Sequence, residues 1–456
     1  MTTGNDELLL RRLSMDILLE AAKENTFGNN VLKQVLDKYD YLDARKKAFV
    51  KKLAMGCLER QIQLDYVIDL YAKPKTAQMK PVIKAILELG AYQILFMDQV
   101  YDTTACNMCV TLARKKGFSS LAGFVNGILR RICREKEQIP WPDKKEDVCK
   151  FLHVFYSMPE WLVNLLLEQY GIGKTEQILE GFCQEPEVSL RCRESLTDTE
   201  RDALFDAWRK AGVSVSANTE LPYACSVKGT DRISTLQGYE EGRFIVQDFS
   251  SMLVCECAGI RPGDIVMDVC AAPGGKTLHA SEKTGRNGRV YAFDLTENKV
   301  ARIEENKARM NADNVTAAVG DATVFLPEFE EKADVLLADV PCSGLGVVAR
   351  KQDIPRHLSE EKLQSLVALQ REILENVVRY VKKGGILVYS TCTLNRMEND
   401  GNVAWIQEHL GLRPVSLENR IPASLHKYLN QDKTLQLYRA ELKCDGFFIA
   451  LFKKEE

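Results

Sequence analysis

The sequence predicts an all-α amino-terminal domain, a small α+β connector, and an α/β domain built on a parallel, doubly wound sheet. Three observations predict it. Up to about residue 138, apolar residues recur at helical spacing with no strand-like alternation. From about residue 260, short runs rich in β-branched residues alternate with helical ones. Residues 150–245 mix the two patterns. At 456 residues the chain is also too long for one ordinary hydrophobic core.

In KPVIKAILELGAYQILFMDQV, Val82, Ile83, Ile86, Leu87 and Leu89 are followed by Ile94, Leu95 and Met97, which is a helix with Gly90 inside it. FVNGILRRICREKE sets Val125, Ile128, Leu129 and Ile132 against a basic face. Residues 1–140 hold 22 Lys and Arg against 16 Asp and Glu, while the remainder holds 39 against 48. The basic clusters are Arg45-Lys46-Lys47, Lys51-Lys52, Arg114-Lys115-Lys116 and Arg130-Arg131 with Arg134. Charge alone reads equally well as solvated helix faces or as a footprint for nucleic acid. QIPWPDKKED (138–147) reads as a linker. After it, SMPEWLVNLLLEQYG reads as a short helix, VSLRCRE as a strand, and Thr197-Asp198-Thr199-Glu200 as a capping box. The boundaries expected are therefore 1–140, 150–245 and 246–456.

The last part carries DIVMDVC, GRVYAFDL, NVTAAVG, ADVLLADV, GGILVYST and DGFFIALFKK as strands. Between the fourth and fifth, Leu363, Leu366, Val367, Ile373, Leu374, Val377, Val378 and Val381 mark an amphipathic helix. Strands alternating with helices build βαβ units, and ligands of such sheets bind beyond the carboxyl ends of the strands.

Composition excludes several classes. The chain is 45% hydrophobic and 27% charged, as globular proteins are. It has no run of 18 uninterrupted apolar residues, and MTTGNDELLLRRLSM lacks the apolar stretch of a signal peptide. A cytoplasmic protein without a membrane partner is expected. The 14 scattered cysteines read as free thiols. Cys106 and Cys109 form a C-x-x-C and Cys255 and Cys257 lie two apart, but no second pair or histidine cluster completes a four-ligand zinc site, so no metal is expected.

The strand at 265–269 runs into DVCAAPGGKT (268–277), a glycine-rich turn that lets a cofactor approach the backbone. Only Gly274 and Gly275 are present, after Pro273, so a pyrophosphate-binding G-x-G-x-x-G is a poor match. Asp294 ends the second strand, 20 residues after Gly274, where an acid can hold ribose hydroxyls. A lone strand-end Asp is more often a turn or cap residue. Asp268, Asp294, Asp321 and Asp339 form a series at successive strand ends, which suits a ligand with a ribose and an adenine but no phosphates. S-adenosyl-L-methionine is such a ligand.

Cys342 follows the fourth strand in ADVPCSG and Cys392 the fifth in YSTCTL, so both face the cofactor mouth. A single Cys is usually a small buried hydrophobe. Two at neighbouring strand ends suit a particular chemistry. C5 of cytosine becomes nucleophilic only when something adds at C6, and a thiolate can do so. The adduct must then lose the C5 proton, which needs a second group nearby.

CAAPGGKT, ADVPCSG and YSTCTL together closely resemble the RNA cytosine-5 methyltransferases of the NSUN/RsmB family, and VQDFSS (246–251) and DGFFIALFKK also match. The first 140 residues, through MDQVYDTTACNMCVTLARKKG and GFVNGILRRI, look like the NusB-type helical RNA-binding domain. The resemblance implies a Rossmann-like methyltransferase domain that uses S-adenosyl-L-methionine on small-subunit ribosomal RNA, at a single-stranded or flipped cytosine. It implies that Cys270, Ala271, Ala272, Pro273, Gly274, Gly275 and Lys276 line the methionine and ribose part of the cofactor. Asp294 would hold the ribose, Asp321 the adenine side and Asp339 the reacting end; Cys392 would be the nucleophile and Cys342 its accessory. VVARKQDI departs from the family's usual R-H-P-D-I run, so Arg350, Lys351 and Asp353 match in part. Three other readings stay open. Cys342 could be the nucleophile, as in DNA cytosine-5 enzymes; the target could be a tRNA or another rRNA site; or the chain could be an antitermination-like RNA-binding protein with a degenerate methylase half.

Overall fold

The computed structural model describes residues 4–23, 28–230 and 232–455. The chain forms two compact units: Met1–Cys183 with Lys351–His357, and Gln184–Arg350 with Leu358–Glu456.

The first unit is helical: α1 (Gly4–Ala21), α2 (Gly28–Lys38), α3 (Ala44–Glu59), α4 (Gln61–Tyr71), α5 (Pro81–Phe96), α6 (Asp102–Lys115), α7 (Ala122–Glu135), α8 (Val148–Phe155) and α9 (Glu160–Cys183). Asp43 caps α3 by accepting from the Lys46 amide, and Pro81 opens α5 where no amide donor is needed. The apolar helix α5 buries nearly its whole circumference and is the central strut of the core. Its two buried polar groups are both partnered: Gln93 accepts from Arg11 Nε at 2.8 Å, and Glu88 accepts from Gln61 at 2.8 Å. Burial pushes the Glu88 carboxyl up to about 7. α7 buries Val125, Ile128, Leu129 and Ile132 as its sequence pattern requires.

The division between units falls at Cys183, not in the 138–147 stretch. That stretch is held against α4, because the Tyr66 hydroxyl donates to the Pro140 carbonyl and the Tyr66 ring stacks on Trp141. Beyond it, the Ile62 amide donates to Ser157 Oγ at 3.0 Å, so α4 and α8 belong to one body. The short helix expected near 158–171 is the first half of α9, which breaks at Gly171 with φ 70° and resumes. Lys351–His357 completes this unit, with Arg356 donating to the Leu58 carbonyl and Asp353 accepting from the Gly28 amide at 2.7 Å.

The second unit begins with an antiparallel sheet in the order β2-β3-β1-β4: β1 (Val188–Cys192), β2 (Ser214–Ala217), β3 (Ala224–Lys228) and β4 (Phe244–Val246). The helix α10 (Asp198–Lys210) starts at the expected capping box, in which Thr197 and Glu200 bond each other's backbone amides. It buries Leu204, Phe205 and Trp208 against Phe244.

There follow α11 (Phe249–Ala258), β5 (Ile265–Asp268), α12 (Gly275–Thr284), β6 (Arg289–Asp294), α13 (Glu297–Arg309), β7 (Val315–Val319) and β8 (Ala333–Asp339). After α14 (Ile354–His357), which belongs to the first unit, come α15 (Glu360–Val377), β9 (Val381–Thr391), α16 (Asp400–His409), β10 (Leu412–Val415), β11 (Leu435–Leu437), α17 (Arg439–Leu442) and β12 (Phe447–Lys454). The large sheet runs β10-β12-β9-β8-β5-β6-β7, with β11 on β12. From β9 to β7 it is parallel, whereas β12 pairs antiparallel with β9 and β10, so the sheet is mixed rather than wholly parallel. Apolar residues cover both faces. The chain steps outward from β5 to β7 and then returns to β8, which puts the switch point between β5 and β8.

Arg191 in β1, wholly buried, donates to Gln247 Oε1 at 2.8 Å and to Glu282 of α12 at 2.9 Å, tying the small sheet to the large one. Beside it, Glu194, Glu256 and His279 bring possible metal-ligand atoms within 4.8 Å of one another. Lys283 Nζ lies 3.1 and 2.8 Å from the same two carboxylates, so they already share an ammonium ion. Among the described residues no helix is long and apolar enough to cross a membrane.

Candidate active site

The switch point is where the sequence motifs converge. β5 ends at Asp268, whose Oδ2 accepts from Thr277 Oγ1 at 2.7 Å and so fixes the start of α12. Burial pushes the Asp268 carboxyl up to about 6, against that hydrogen bond. Gly274, at φ 104°, makes the turn into α12. Next to it, Gly275 packs against the Gln247 side chain, 3.5 Å from where a β-carbon would lie.

A cavity of about 200 Å³ lies over this turn, lined by Gln247, Asp248, Asp268, Cys270, Ala271, Ala272, Pro273, Gly275, Lys276 and Asp339 among others. Three carboxyl groups and an ammonium ion therefore share one small cleft. Lys276 Nζ is 2.7 Å from Asp339 Oδ2, and Ser390 Oγ donates to Asp339 Oδ1 at 2.8 Å. Burial opposes the charge on Lys276, but the Asp339 carboxylate outweighs it and raises the lysine's proton affinity. Gln247 is 4% exposed and its Nε2 has no hydrogen-bond partner among the described residues. An unused donor, three carboxyl groups and a paired ammonium suit a zwitterionic, cationic ligand such as the methionine end of S-adenosyl-L-methionine, so the residues fit that group.

Asp294 stands behind the turn and does not line the cavity. Its Oδ2 accepts from the Ala272 amide at 2.9 Å, its Oδ1 from the Leu295 amide at 2.8 Å, and Lys299 Nζ is 2.9 Å away. Gly274 is likewise absent from the lining. Asp321 is placed differently again: it is exposed and accepts from both the amide and the hydroxyl of Thr323, as a turn residue does. Those bonds hold its carboxyl below the usual range. Asp294→Ala removes an acceptor that orders the turn and, in the family resemblance, the ribose. Loss of about 1–3 kcal/mol of cofactor affinity is expected. Isothermal titration with S-adenosyl-L-methionine checks it, and unchanged affinity in a folded variant removes Asp294 from the site.

β8 and β9 are parallel neighbours, with Asp339 opposite Ser390. The loops that follow them bring Cys342 Sγ and Cys392 Sγ to 3.3 Å. The hydrogen bond between the two sulfurs, with burial and the nearby charges of Cys392, Glu398 and Asp339, pushes the Cys342 thiol well up. The Cys392 carbonyl accepts from the Gly346 amide at 2.9 Å, and the Gly346 carbonyl from the Gly446 amide at 2.9 Å, so three loops are stitched together under the thiols.

Arg350 is more than the partial match its motif offered. It donates to both oxygens of Asp445 at 2.7 and 2.9 Å, to Asp248 at 2.8 Å and to the Glu187 carbonyl at 2.9 Å. It thereby ties the loop after β8 to the VQDFSS segment and to the start of β12. Gln247 and Ser390 carried no sequence signal of their own beyond lying inside VQDFSS and YSTCTL.

Comparison with known proteins identifies the family. Residues 258–453 match the family described as 16S rRNA methyltransferase RsmB/F, and residues 9–134 match the NusB family. A protein of Bacillus subtilis (strain 168) named "Probable ribosomal RNA small subunit methyltransferase B" is 34% identical over 98% of this chain and 99% of its own length. A Serratia proteamaculans (strain 568) protein named "Ribosomal RNA small subunit methyltransferase B" is 30% identical over 82% of this chain and 85% of its own. Among solved structures, NSun6 from Pyrococcus horikoshii with SFG has the same fold over 65% of this chain and 98% of its own, at 21% identity and a TM-score of 0.57.

Proposed function

We infer the reaction from one premise: the chain belongs to the RsmB family of ribosomal RNA methyltransferases. It is a methyltransferase dependent on S-adenosyl-L-methionine, with an RNA substrate. The finer reading is methylation of C5 of a cytosine in small-subunit rRNA, cytosine 967 by family resemblance, through a covalent bond between Cys392 and C6. The observation that carries it is the pair of thiols 3.3 Å apart at the switch point, beside Lys276 and Asp339.

The Cys392 thiolate adds to C6, and the electron pair of the C5–C6 bond moves to C5. The bound cofactor supplies an electrophilic methyl group, which C5 takes. Lys276 and Asp339, already paired, would offer the base a charged donor and acceptor at the same switch point. Cys342 suits the accessory role. The thiolate is the attacking form of a cysteine, and Cys342 is the thiol held protonated by its neighbour and by burial. Once the Cys392 sulfur is bonded to C6 it is a neutral thioether, so its share of that raised proton affinity falls away while burial and the Glu398 and Asp339 charges remain. Cys342 can then release its own proton to solvent water and, as the thiolate, take the C5 proton; the C5–C6 double bond reforms, and the C6–S bond breaks to return the Cys392 thiolate. A base can meet both thiols only outside a helical stack, which supports a single-stranded or flipped target.

The NusB-like helices support an RNA-holding role through charge. Arg131 and Arg134 on α7 have side chains 51% and 73% exposed, opposite its buried face. Replacing Arg130, Arg131 and Arg134 by Glu in the full chain should weaken rRNA binding and flatten its salt dependence, since each phosphate contact releases counterions. Filter binding across a salt series reads this; an unchanged slope removes α7 from the RNA surface. A transfer assay with tritiated S-adenosyl-L-methionine and 16S rRNA tests the reaction itself. Label on the base of a cytosine supports it, and absence of label from folded, cofactor-binding protein refutes it.

A further inference from the structure

We infer that Glu398 is a positioning residue that clasps the two cysteine loops and sets the distance between their thiols. The inference rests on the two-thiol reading of the reaction. Glu398 lies between β9 and α16 and is wholly buried. Its carboxylate accepts from the Ser343 amide at 2.8 Å, from the Ser343 hydroxyl, from Gln370 Nε2 at 2.9 Å, from Asn395 Nδ2 at 3.1 Å and from Thr393 Oγ1 at 3.4 Å. Ser343 directly follows Cys342, and Thr393 directly follows Cys392. Their hydroxyls are 2.6 Å apart. Gln370 Nε2 also donates to the carbonyl of Pro341, on the other side of Cys342, at 2.9 Å. Both loops thus converge on one carboxylate.

The chemistry of the site requires an acceptor there. Each group bonded to the Glu398 carboxylate presents an N–H or O–H, and a carboxylate offers about four lone-pair positions with no hydrogen of its own. The support continues outward, because Asn402 Nδ2 donates to Gln370 Oε1 at 2.8 Å and to the Tyr389 hydroxyl at 3.0 Å, while that hydroxyl donates to the Glu398 carbonyl at 2.6 Å. Glu398 is not among the residues lining the cofactor cavity. It acts through the loops, on the placement of Cys342 and Cys392, and a buried network with every member partnered is the kind that holds a unique geometry.

The test uses Glu398→Gln in the full chain and three readouts. Glutamine keeps the shape but turns one oxygen into a donor facing donors. Cofactor affinity should stay within about twofold, and methyl transfer should slow about 100-fold with an unchanged KM for RNA, as a displacement near 1 Å produces. The third readout needs no RNA: diamide takes two electrons and two protons from the two thiols, is itself reduced to the hydrazine, and leaves one S–S bond between Cys342 and Cys392. Thiols 3.3 Å apart need little movement to reach bonding distance, so the wild type should cross-link readily and Glu398→Gln about tenfold more slowly, as mass spectrometry of the peptides would show. Ser343→Ala, which removes one hydroxyl, should fall between them and keeps the inference testable if Glu398→Gln does not fold. Wild-type cross-linking rates in both variants overturn the clasp, whatever happens to turnover. Slowed cross-linking in a protein whose wild type methylates no cytosine leaves the clasp standing and refutes the two-thiol reaction instead.

Discussion

Cys392→Ala should transfer no methyl group to rRNA and form no covalent complex with it, a loss of about 10⁴-fold or more, as when an attacking nucleophile is removed. Cys342→Ala should fail differently. Attack and methylation can proceed in that variant, but the C5 proton has no acceptor at 3.3 Å from the nucleophile, so the adduct cannot collapse. It should accumulate as a slowly migrating protein–RNA band on a denaturing gel. The band should be scarce on a fully paired RNA, where the base cannot leave the stack. The raised proton affinity of Cys342 points the same way, since a thiol held neutral is a poor nucleophile at rest. A reversed pattern, with Cys392→Ala trapping RNA and Cys342→Ala inert, assigns the attack to Cys342 and matches the DNA-enzyme arrangement.

Gly346→Ala should be among the most damaging single methyl groups in the molecule's active half. A β-carbon at that position would lie 1.8 Å from the Gly446 carbonyl oxygen and 2.8 Å from the Cys392 carbonyl oxygen. Neither neighbour is a flexible side chain that could swing aside. Both are backbone, and the Cys392 carbonyl and the Gly446 amide are the partners of Gly346 in the pair of hydrogen bonds that joins the loop after β8 to the Cys392 loop and to the start of β12. The expected cost is at the upper end for overpacking, about 3 kcal/mol of stability. The Cys392 loop must also shift, which should lower turnover by about 100-fold even where the protein remains folded. Thermal unfolding and single-turnover transfer measure the two parts. Gly123→Ala on α7 is the control, because nothing lies within 4 Å of its added carbon. Helix propensity there favours Ala by roughly 0.5–1 kcal/mol. Equal melting temperatures for the two variants would show that the loops are not packed as described.

What could be read in the sequence was whatever local pattern encodes. The capping box at Thr197 and Glu200, the strand ending in Asp268, and the apolar face of α7 all depend on residues within a few positions of one another, and each is where its pattern puts it. The two cysteines were legible because successive parallel strands end on one edge of the sheet. Asp321 shows the limit of that reasoning. It sits after β7 as the series of strand-end acids expects, yet its hydrogen bonds close a turn with Thr323. A strand-end position is shared by ligand-binding and turn-forming acids, and spacing does not separate them. The antiparallel place of β12 between β9 and β10 was hidden for a different reason. A buried central strand reads as a continuous apolar run whichever way it points, as FFIALF does. Glu398 left no sequence signal, because its meaning comes from Ser343, 55 positions away, and from Gln370, 28 away. The Tyr66–Pro140 contact spans 74 positions and turns an apparent linker into part of the helical core.

The central claim is that this chain methylates C5 of one cytosine in small-subunit rRNA. Bisulfite sequencing of 16S rRNA from cells with and without the gene tests it most directly, because a C5-methylated cytosine resists deamination. One cytosine should be protected in cells that carry the gene, be converted in cells that lack it, and stay converted when Cys392→Ala replaces the wild type. Identical protection in all three would contradict the claim.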